Sequence, residues 1–201
     1  ESLSCGPDDA ARAWFLSPDQ AGFAIAKPLA DPPGSKWQYN SGNTLILSRI
    51  IRNAVGGTQA DVLRFAHGEL FDPLGMTDVA FEFDITGTPI GATGMLATAR
   101  DWARFGQLYL QDGIVGGKRI LPPGWVEYSA TPAADAFVGY GAGFWTNRGD
   151  SKGARYRTGG GMPKDSFFAS GFLGQVILIA PKERLVIARF GWSHGPYGGF
   201  E

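Results

Sequence analysis

Apolar residues recur at helical spacing through the first two thirds of the chain. The segment 44–54 is apolar at most of its positions, which predicts a helix that is apolar nearly all round and therefore buried. Thr58 and Asp61 form a capping-box pattern, and Thr98 is a second cap signal ahead of an apolar period. The other predicted helices cover 8–15, 59–70, 99–111 and a short stretch that starts near Pro123.

Beyond residue 138 the pattern changes to that of β-strands. The predicted strands in this part are 140–146, 166–171, 175–180 and 185–190. The last two flank a four-residue turn at 181–184, which predicts an antiparallel hairpin. One further short strand is predicted earlier in the chain, over 79–83. Helices followed by antiparallel strands indicate an α+β fold, an antiparallel sheet flanked by helices. The predicted organisation is a loop-rich opening segment, a mainly helical part and a mainly strand part: 1–36, 37–130 and 138–192.

Composition narrows the class of protein and of site. The chain has 201 residues, of which 44% are hydrophobic and 18% charged, so it can build a folded core. A net charge of −1 without a basic stripe argues against nucleic acid binding, and the longest apolar run, 176–180, is too short to cross a bilayer. Cys5 is alone and the two histidines lie far apart in sequence, so no metal or other cofactor is expected.

The most informative polar group is Tyr39, in the stretch Trp37-Gln38-Tyr39-Asn40-Ser41-Gly42-Asn43. It comes just before the predicted apolar helix, so a rigid element holds its side chain. On residue type alone two interpretations stay open: a core tyrosine whose hydroxyl finds a partner, or a phenol that faces a cleft.

This stretch resembles the second motif of the penicillin-recognising serine hydrolases, the superfamily of β-lactamases, D-Ala-D-Ala peptidases and esterases. The motif is Tyr-x-Asn in members of the class C β-lactamase type, and Tyr39-Asn40-Ser41 has Ser in its third place. Further segments resemble the superfamily in the same order along the chain: 69–76, 94–106, 113–125 and 171–181. The resemblance implies the C-terminal part of a β-lactamase/transpeptidase-like fold, so that residues 1–201 would form a single incomplete domain.

The third motif of the superfamily, Lys-Thr-Gly or His-Thr-Gly on a strand edge, falls on Ala169-Ser170-Gly171. By itself this is equally well an ordinary strand with small residues. The resemblance implies that Ser170 and Gly171 contact the substrate and that the Phe172 backbone N–H is an oxyanion donor. Ala169 replaces the cation that usually holds a carboxylate. This favours an ester or amide substrate over a β-lactam, as in the similar carboxylesterases and 6-aminohexanoate-oligomer hydrolases.

For Tyr39 the resemblance implies a role in proton transfer. An unperturbed phenol has a pKa of about 10, and a lysine ammonium beside it favours the phenolate that takes the serine proton. Ser41 is implied as a substrate contact. His194 follows the last predicted strand and either lines the cleft or lies in a solvated loop.

The nucleophile of the superfamily is missing from this sequence. No lysine has a serine three residues before it, so there is no Ser-x-x-Lys. The start at Glu1, without a methionine or a signal sequence, indicates a cut in a longer polypeptide, so the sequence assigns no compartment. We expect the N-terminal part of the same precursor, carrying Ser-x-x-Lys, as the partner and a small ester or amide as the substrate. The alternative is a non-catalytic binding module that has lost the nucleophile.

Overall fold

A computed structural model of the protein describes residues 10–193, with side chains from residue 13 onwards. The described chain forms two compact units: residues up to 71 together with 79–97 make the first, and 72–78 together with 98–193 make the second. Helices are combined with antiparallel strands, which confirms the predicted α+β class. That residues 1–201 form a single incomplete domain stays a prediction.

The first unit is mainly helical. Its elements are α1 (Ala10–Leu16), α2 (Gln20–Ile25), α3 (Ser41–Ala54), α4 (Gln59–Ala66), a π-helical turn (His67–Phe71) and the antiparallel pair β1 (Val79–Phe81) and β2 (Met95–Ala97). Helix α2 was not predicted, so the description of 1–36 as loop-rich is wrong over this stretch. Asp19 caps α2 by accepting a hydrogen bond from the Gly22 N–H at 2.7 Å, and the Arg49 guanidinium bonds the same oxygen at 2.5 Å.

The predicted capping box at the start of α4 is confirmed. The Thr58 hydroxyl oxygen accepts from the Asp61 N–H at 3.2 Å, and the Asp61 carboxylate accepts from the Thr58 N–H at 3.1 Å. The hydrogen bonds from Thr58, the side-chain hydroxyl first, hold the pKa of Asp61 below its ordinary value. The local sequence is therefore sufficient to start this helix where it starts.

Helix α3 packs one side into the unit and leaves an apolar stripe exposed on the other side. Leu45 and Ser48 are its buried residues, and Arg49 donates from Nε to Oγ1 of the buried Thr88 at 2.8 Å. On the opposite side, an apolar stripe at i, i+3 and i+4 spacing is 47–58% exposed: Leu47, Ile50 and Ile51. The prediction of a buried helix is therefore wrong for this stripe within the described residues, because the unit covers only the other side of the helix.

The second unit contains a four-stranded antiparallel sheet among its described residues, in the order β5-β6-β7-β8. Its elements are α5 (Asp72–Leu74), α6 (Ala99–Leu110), β3 (Ile114–Val115), β4 (Lys118–Arg119), α7 (Trp125–Ala130), β5 (Trp145–Thr146), α8 (Lys152–Gly159), β6 (Phe167–Gly171), a 3₁₀ turn (Phe172–Gly174), β7 (Gln175–Ala180) and β8 (Leu185–Arg189). The predicted hairpin of β7 and β8 is confirmed, with Ala180 opposite Leu185.

The prediction of 138–192 as mainly strands is wrong over 152–159. Helix α8 occupies this stretch, and the strand expected over 140–146 is reduced to Trp145–Thr146. Ser151 caps α8 by accepting from the Ala154 N–H at 3.1 Å. The helix is polar on most sides, so it lacks the apolar period that would have predicted it.

The core of the second unit lies between α6 and the sheet. Its buried members are Tyr109, Ala130, Phe144, Phe167, Ile177 and Ile179. Gly106 lets α6 approach the strands closely, because a Cβ there would lie 2.6 Å from Val186 Cγ1 and 3.0 Å from Ile177 Cγ2. Thr98 caps α6 as predicted.

Candidate functional site

Tyr39 lies two residues before the first residue of α3, the helix that was predicted to follow it. Asn40 caps α3, with its Oδ1 accepting from the Gly42 N–H at 2.7 Å, and Ser41 is the first residue of the helix. The Tyr39 side chain is 45% exposed, so it is not a core tyrosine within the described residues. The cap fixes the backbone directly after Tyr39, at the point where α3 begins.

Ser170 and Gly171 form the exposed end of β6. Ser170 pairs with Val176 and Gly171 with Gln175 across β7. On the other side β5 pairs only with Phe167 and Phe168, so beyond Phe168 no described strand lies against this edge. An extended ligand can add to such an edge through main-chain hydrogen bonds, and small residues leave room for it.

Phe172 begins a tight turn directly after β6. Its side chain is 78% exposed. Leu173 has a left-handed conformation, with φ 61° and ψ 28°, which is unfavourable for a residue with a branched side chain. Strained backbone of this kind costs on the order of 1–3 kcal/mol and tends to occur where a site needs a particular direction of the chain.

Hydrogen bonds bring the segment after β8 against this turn. The Ser193 N–H donates to the Leu173 carbonyl at 3.1 Å. The Gln175 side-chain amide donates to the Gly191 carbonyl at 2.7 Å and accepts from the Gly191 N–H at 3.1 Å. The exposed Trp192 therefore lies in a segment that is held against the end of the sheet where Phe172 is located. His194, the predicted cleft residue, lies outside the described residues.

The same end of the sheet is braced by residues that the sequence analysis did not single out. Arg189 donates to the Gly174 carbonyl at 2.6 Å and to the Ser193 hydroxyl at 2.5 Å. In the sequence, Gln175 belongs to the segment 171–181 that resembles the superfamily, and Arg189 belongs to no motif. No sequence signal would have found their roles, since both depend on which backbone atoms the strands bring together.

A buried polar cluster supports the other side of β6. Arg157 donates from Nε to Asn147 Oδ1 at 2.7 Å and from Nη2 to the Thr146 carbonyl at 2.8 Å, and Asn147 donates to Ser166 Oγ at 2.9 Å. Burial lowers the pKa of Arg157 from its ordinary value. The cluster ties the connection between β5 and β6 to the end of β5 and the start of β6.

Other kinds of site find little support in the described part of the chain. Among residues 10–193 no three His, Cys, Asp or Glu side chains come together in a way that could hold a metal ion. No described helix has the length and apolar character needed to cross a membrane. An open depression of about 430 Å³ contains none of the predicted site residues; its lining is Pro132, Ala133, Asp135, Ala136, Phe137 and Ser151.

The predicted residues thus fall into two groups. Tyr39 and Ser41 belong to the first unit, and Ser170, Gly171 and Phe172 stand together in the second. That the two groups act on one substrate stays a prediction. Chemically, the first group offers an exposed phenol and the second a strand edge with main-chain donors.

Comparisons with known proteins agree on one family. A family model described as Beta-lactamase matches residues 7–197. A 6-aminohexanoate-dimer hydrolase from Paenarthrobacter ureafaciens is 33% identical over 92 residues, which are 46% of this chain and 23% of that protein. An uncharacterised protein from Alkalihalophilus pseudofirmus is 25% identical over 187 residues, covering 83% of this chain and 55% of its own length.

Solved structures show the same similarity. A Bacillus anthracis protein named as a candidate 6-aminohexanoate-dimer hydrolase has a TM-score of 0.67 at 26% identity, over 94% of this chain and 44% of that one. A Bacteroides dorei protein named as a candidate beta-lactamase has a TM-score of 0.61 at 20% identity, over 89% of this chain and 60% of that one, and shows the fold alone. The chain spans at most about half the length of the relatives matched in sequence.

Proposed function

Because the chain belongs to the beta-lactamase family, whose members include hydrolases, we propose that it forms part of a serine hydrolase that cleaves an ester or an amide through an acyl-enzyme. The family match over residues 7–197 carries the proposal, since it includes both Tyr39 and Ser170-Gly171-Phe172. The exposure of Tyr39 and the open edge of β6 support it, because reacting groups have to be reached by a substrate.

In the proposed reaction the nucleophile is a serine of a Ser-x-x-Lys motif in the N-terminal part of the same precursor. Its hydroxyl oxygen attacks the carbonyl carbon of the substrate while Tyr39, as phenolate, takes the hydroxyl proton. The Phe172 N–H stabilises the negative oxygen of the tetrahedral intermediate. Tyr39 then gives the proton to the departing alcohol or amine, and water releases the acyl group in a second cycle of the same kind.

Substrate preference follows from the residues at the strand edge. Ala169 carries no charge to hold a carboxylate, so the proposed substrate is an ester or amide, uncharged or charged differently from a β-lactam. Ser170, Gly171, Ser41 and His194 are its proposed contacts. The two similar proteins that are named for 6-aminohexanoate-dimer hydrolysis act, by those names, on an amide-linked dimer, which supports this class.

The proposed partner is the remaining part of the family fold. The apolar stripe of α3 supports this proposal, because an exposed row of aliphatic side chains on a helix is stabilised when another element covers it. Alone, the chain would lack the nucleophile and be inactive.

The experiment uses the protein with its upstream sequence. We expect a fluorophosphonate to label one serine in that sequence, detected by mass spectrometry, and Tyr39→Phe to lower kcat on a p-nitrophenyl ester by about 10²–10⁴-fold, the usual contribution of a general base. Tyr128→Phe, at an exposed tyrosine of α7, is the matched control and should keep full activity. Unchanged activity in Tyr39→Phe, or activity of residues 1–201 alone, would overturn the proposal.

A non-catalytic binding module is the second candidate. It is favoured by three features of this sequence: the lack of Ser-x-x-Lys, the neutral Ala169 and the serine at position 41. If the protein with its upstream sequence binds an ester or amide in calorimetry without labelling or turnover, the binding module is correct and the hydrolase is not.

A further inference from the structure

The turn after β6 is joined to the segment after β8 by two side chains, Gln175 and Arg189, which we call the clamp. Gln175 makes both of its hydrogen bonds to the backbone of one residue, Gly191, donating at 2.7 Å and accepting at 3.1 Å. Arg189 makes one bond to the carbonyl of Gly174 and one to the hydroxyl of Ser193. The clamp therefore contacts the turn on one side and the C-terminal segment on the other.

The chemistry of the clamp suits a positioning role. The paired bonds between Gln175 and Gly191 repeat the pattern of one antiparallel residue pair, so they fix direction as well as distance. A charged guanidinium makes stronger hydrogen bonds to neutral acceptors than an uncharged donor does. The Arg189 guanidinium donates to the Gly174 carbonyl and the Ser193 hydroxyl, so its charge strengthens both contacts.

The turn at 172–174 needs hydrogen bonds from outside, because its own sequence does little to fix its backbone conformation. Gly171 and Gly174 flank it, and glycine restricts the backbone least. Leu173 lies in a left-handed conformation that it would leave without restraint. The Ser193 N–H bonds the Leu173 carbonyl at 3.1 Å, so holding Ser193 in place also holds Leu173.

We propose that Gln175 and Arg189 are positioning residues for the hydrolysis proposed above, and that they hold the Phe172 N–H in the direction an oxyanion donor requires. The inference rests on that proposed function, since it gives the Phe172 N–H its task. An oxyanion donor works only if it points at the place where charge develops, and errors of about 1 Å can cost on the order of 100-fold in rate. The clamp acts through the backbone of the turn and need not touch the substrate.

The test is made on the protein with its upstream sequence, with active sites counted by fluorophosphonate titration. Arg189→Met and Gln175→Met should each lower kcat per active site on a p-nitrophenyl ester by about 10- to 100-fold, with KM changed less than about threefold. Arg189→Lys keeps one charged donor and should recover part of the loss. Arg184→Met removes an exposed arginine at the opposite end of the β7–β8 hairpin and serves as the matched control.

A second readout separates positioning from a general structural role. Phenylboronic acid forms a tetrahedral, negatively charged adduct with a reactive serine, so its affinity should fall in parallel with kcat in the clamp variants but not in Arg184→Met. Clamp variants that keep kcat per active site and boronate affinity would overturn the inference and leave the proposed function intact. An unsubstituted protein that is neither labelled nor active would overturn both.

Discussion

Arg157 donates from Nε to Asn147 Oδ1 at 2.7 Å, and its guanidinium carbon lies 5.3 Å from the centre of the Phe168 ring. The Arg157 side chain thereby joins α8 to the sheet. Arg157→Lys cannot keep the planar contacts and leaves Asn147 without its donor, so we expect a loss of about 1–3 kcal/mol in the free energy of unfolding. Urea unfolding followed by tryptophan fluorescence measures it.

Arg155→Lys is the matched control, because Arg155 is exposed on the same helix. It should change the free energy of unfolding by less than about 0.5 kcal/mol. Equal losses in the two variants would mean that the buried cluster does not stabilise the sheet.

Gly106→Ala should destabilise the second unit, because the added Cβ would lie 2.6 Å from Val186 Cγ1. Forcing a methyl group into a packed contact costs about 1–3 kcal/mol. Gly68→Ala is the control, because no atom lies within 4 Å of a Cβ built there. If thermal unfolding gave Gly106→Ala the higher midpoint, α6 would have to sit farther from the sheet than described.

Asp101 makes stability depend on pH. Hydrogen bonds, with that from the Thr98 hydroxyl the most important and the Arg104 guanidinium also contributing, hold the pKa of this buried carboxyl below its ordinary value. A carboxyl whose pKa is lowered by folding stabilises the folded state at any pH above its unfolded-state pKa of about 3.9. That stabilisation is lost as the pH falls through the lower pKa of the folded state. The urea midpoint of the unsubstituted protein should therefore exceed that of Asp101→Asn at neutral pH, and the difference should shrink below about pH 4.

The control for that measurement is Asp150→Asn, at an exposed carboxylate. Its difference from the unsubstituted protein should stay small at every pH. An advantage of Asp101 that grows on acidification would show that burial, which acts in the opposite direction, outweighs the hydrogen bonds.

The apolar stripe of α3 predicts the behaviour of the isolated chain. Ile50→Lys should leave the thermal midpoint of residues 1–201 nearly unchanged, because Ile50 is 56% exposed, and should lower self-association in light scattering. With the upstream sequence present as a separate chain, the same change should weaken association, measured by calorimetry. Asn53→Lys, on the same helix outside the stripe, is the control. Unfolding of the isolated chain by Ile50→Lys would mean that this chain itself buries the stripe.

Elements with local signals could be predicted from the sequence. Thr58 and Thr98 start their helices as expected because a cap depends on the next three residues only. The β7–β8 hairpin was predictable for the same reason, since a short turn and two apolar runs determine it. Tyr39 was found through family resemblance, and its residue type alone would not have distinguished it.

Features that depend on distant contacts could not be predicted. The apolar residues of α3 indicated burial, but the pattern does not say which polypeptide covers them. Helix α8 has a polar sequence and is held by Arg157 through atoms of Asn147 and Thr146, which only the folded chain brings near. The clamp has the same origin, because the backbone atoms it contacts become neighbours only after β6, β7 and β8 pair.

The strands β6, β7 and β8 follow one another in the chain with short connections, and this has a consequence for the order of folding. Neighbouring strands joined by tight turns close small loops, and hairpins of this kind form in about 1–10 μs. We therefore expect the edge that carries Ser170 to be set early, by residues close in sequence, before the helices dock. Pulsed hydrogen exchange during refolding would show the amides of Val176 and Ile187 protected before those of α6, and the reverse order would contradict this expectation.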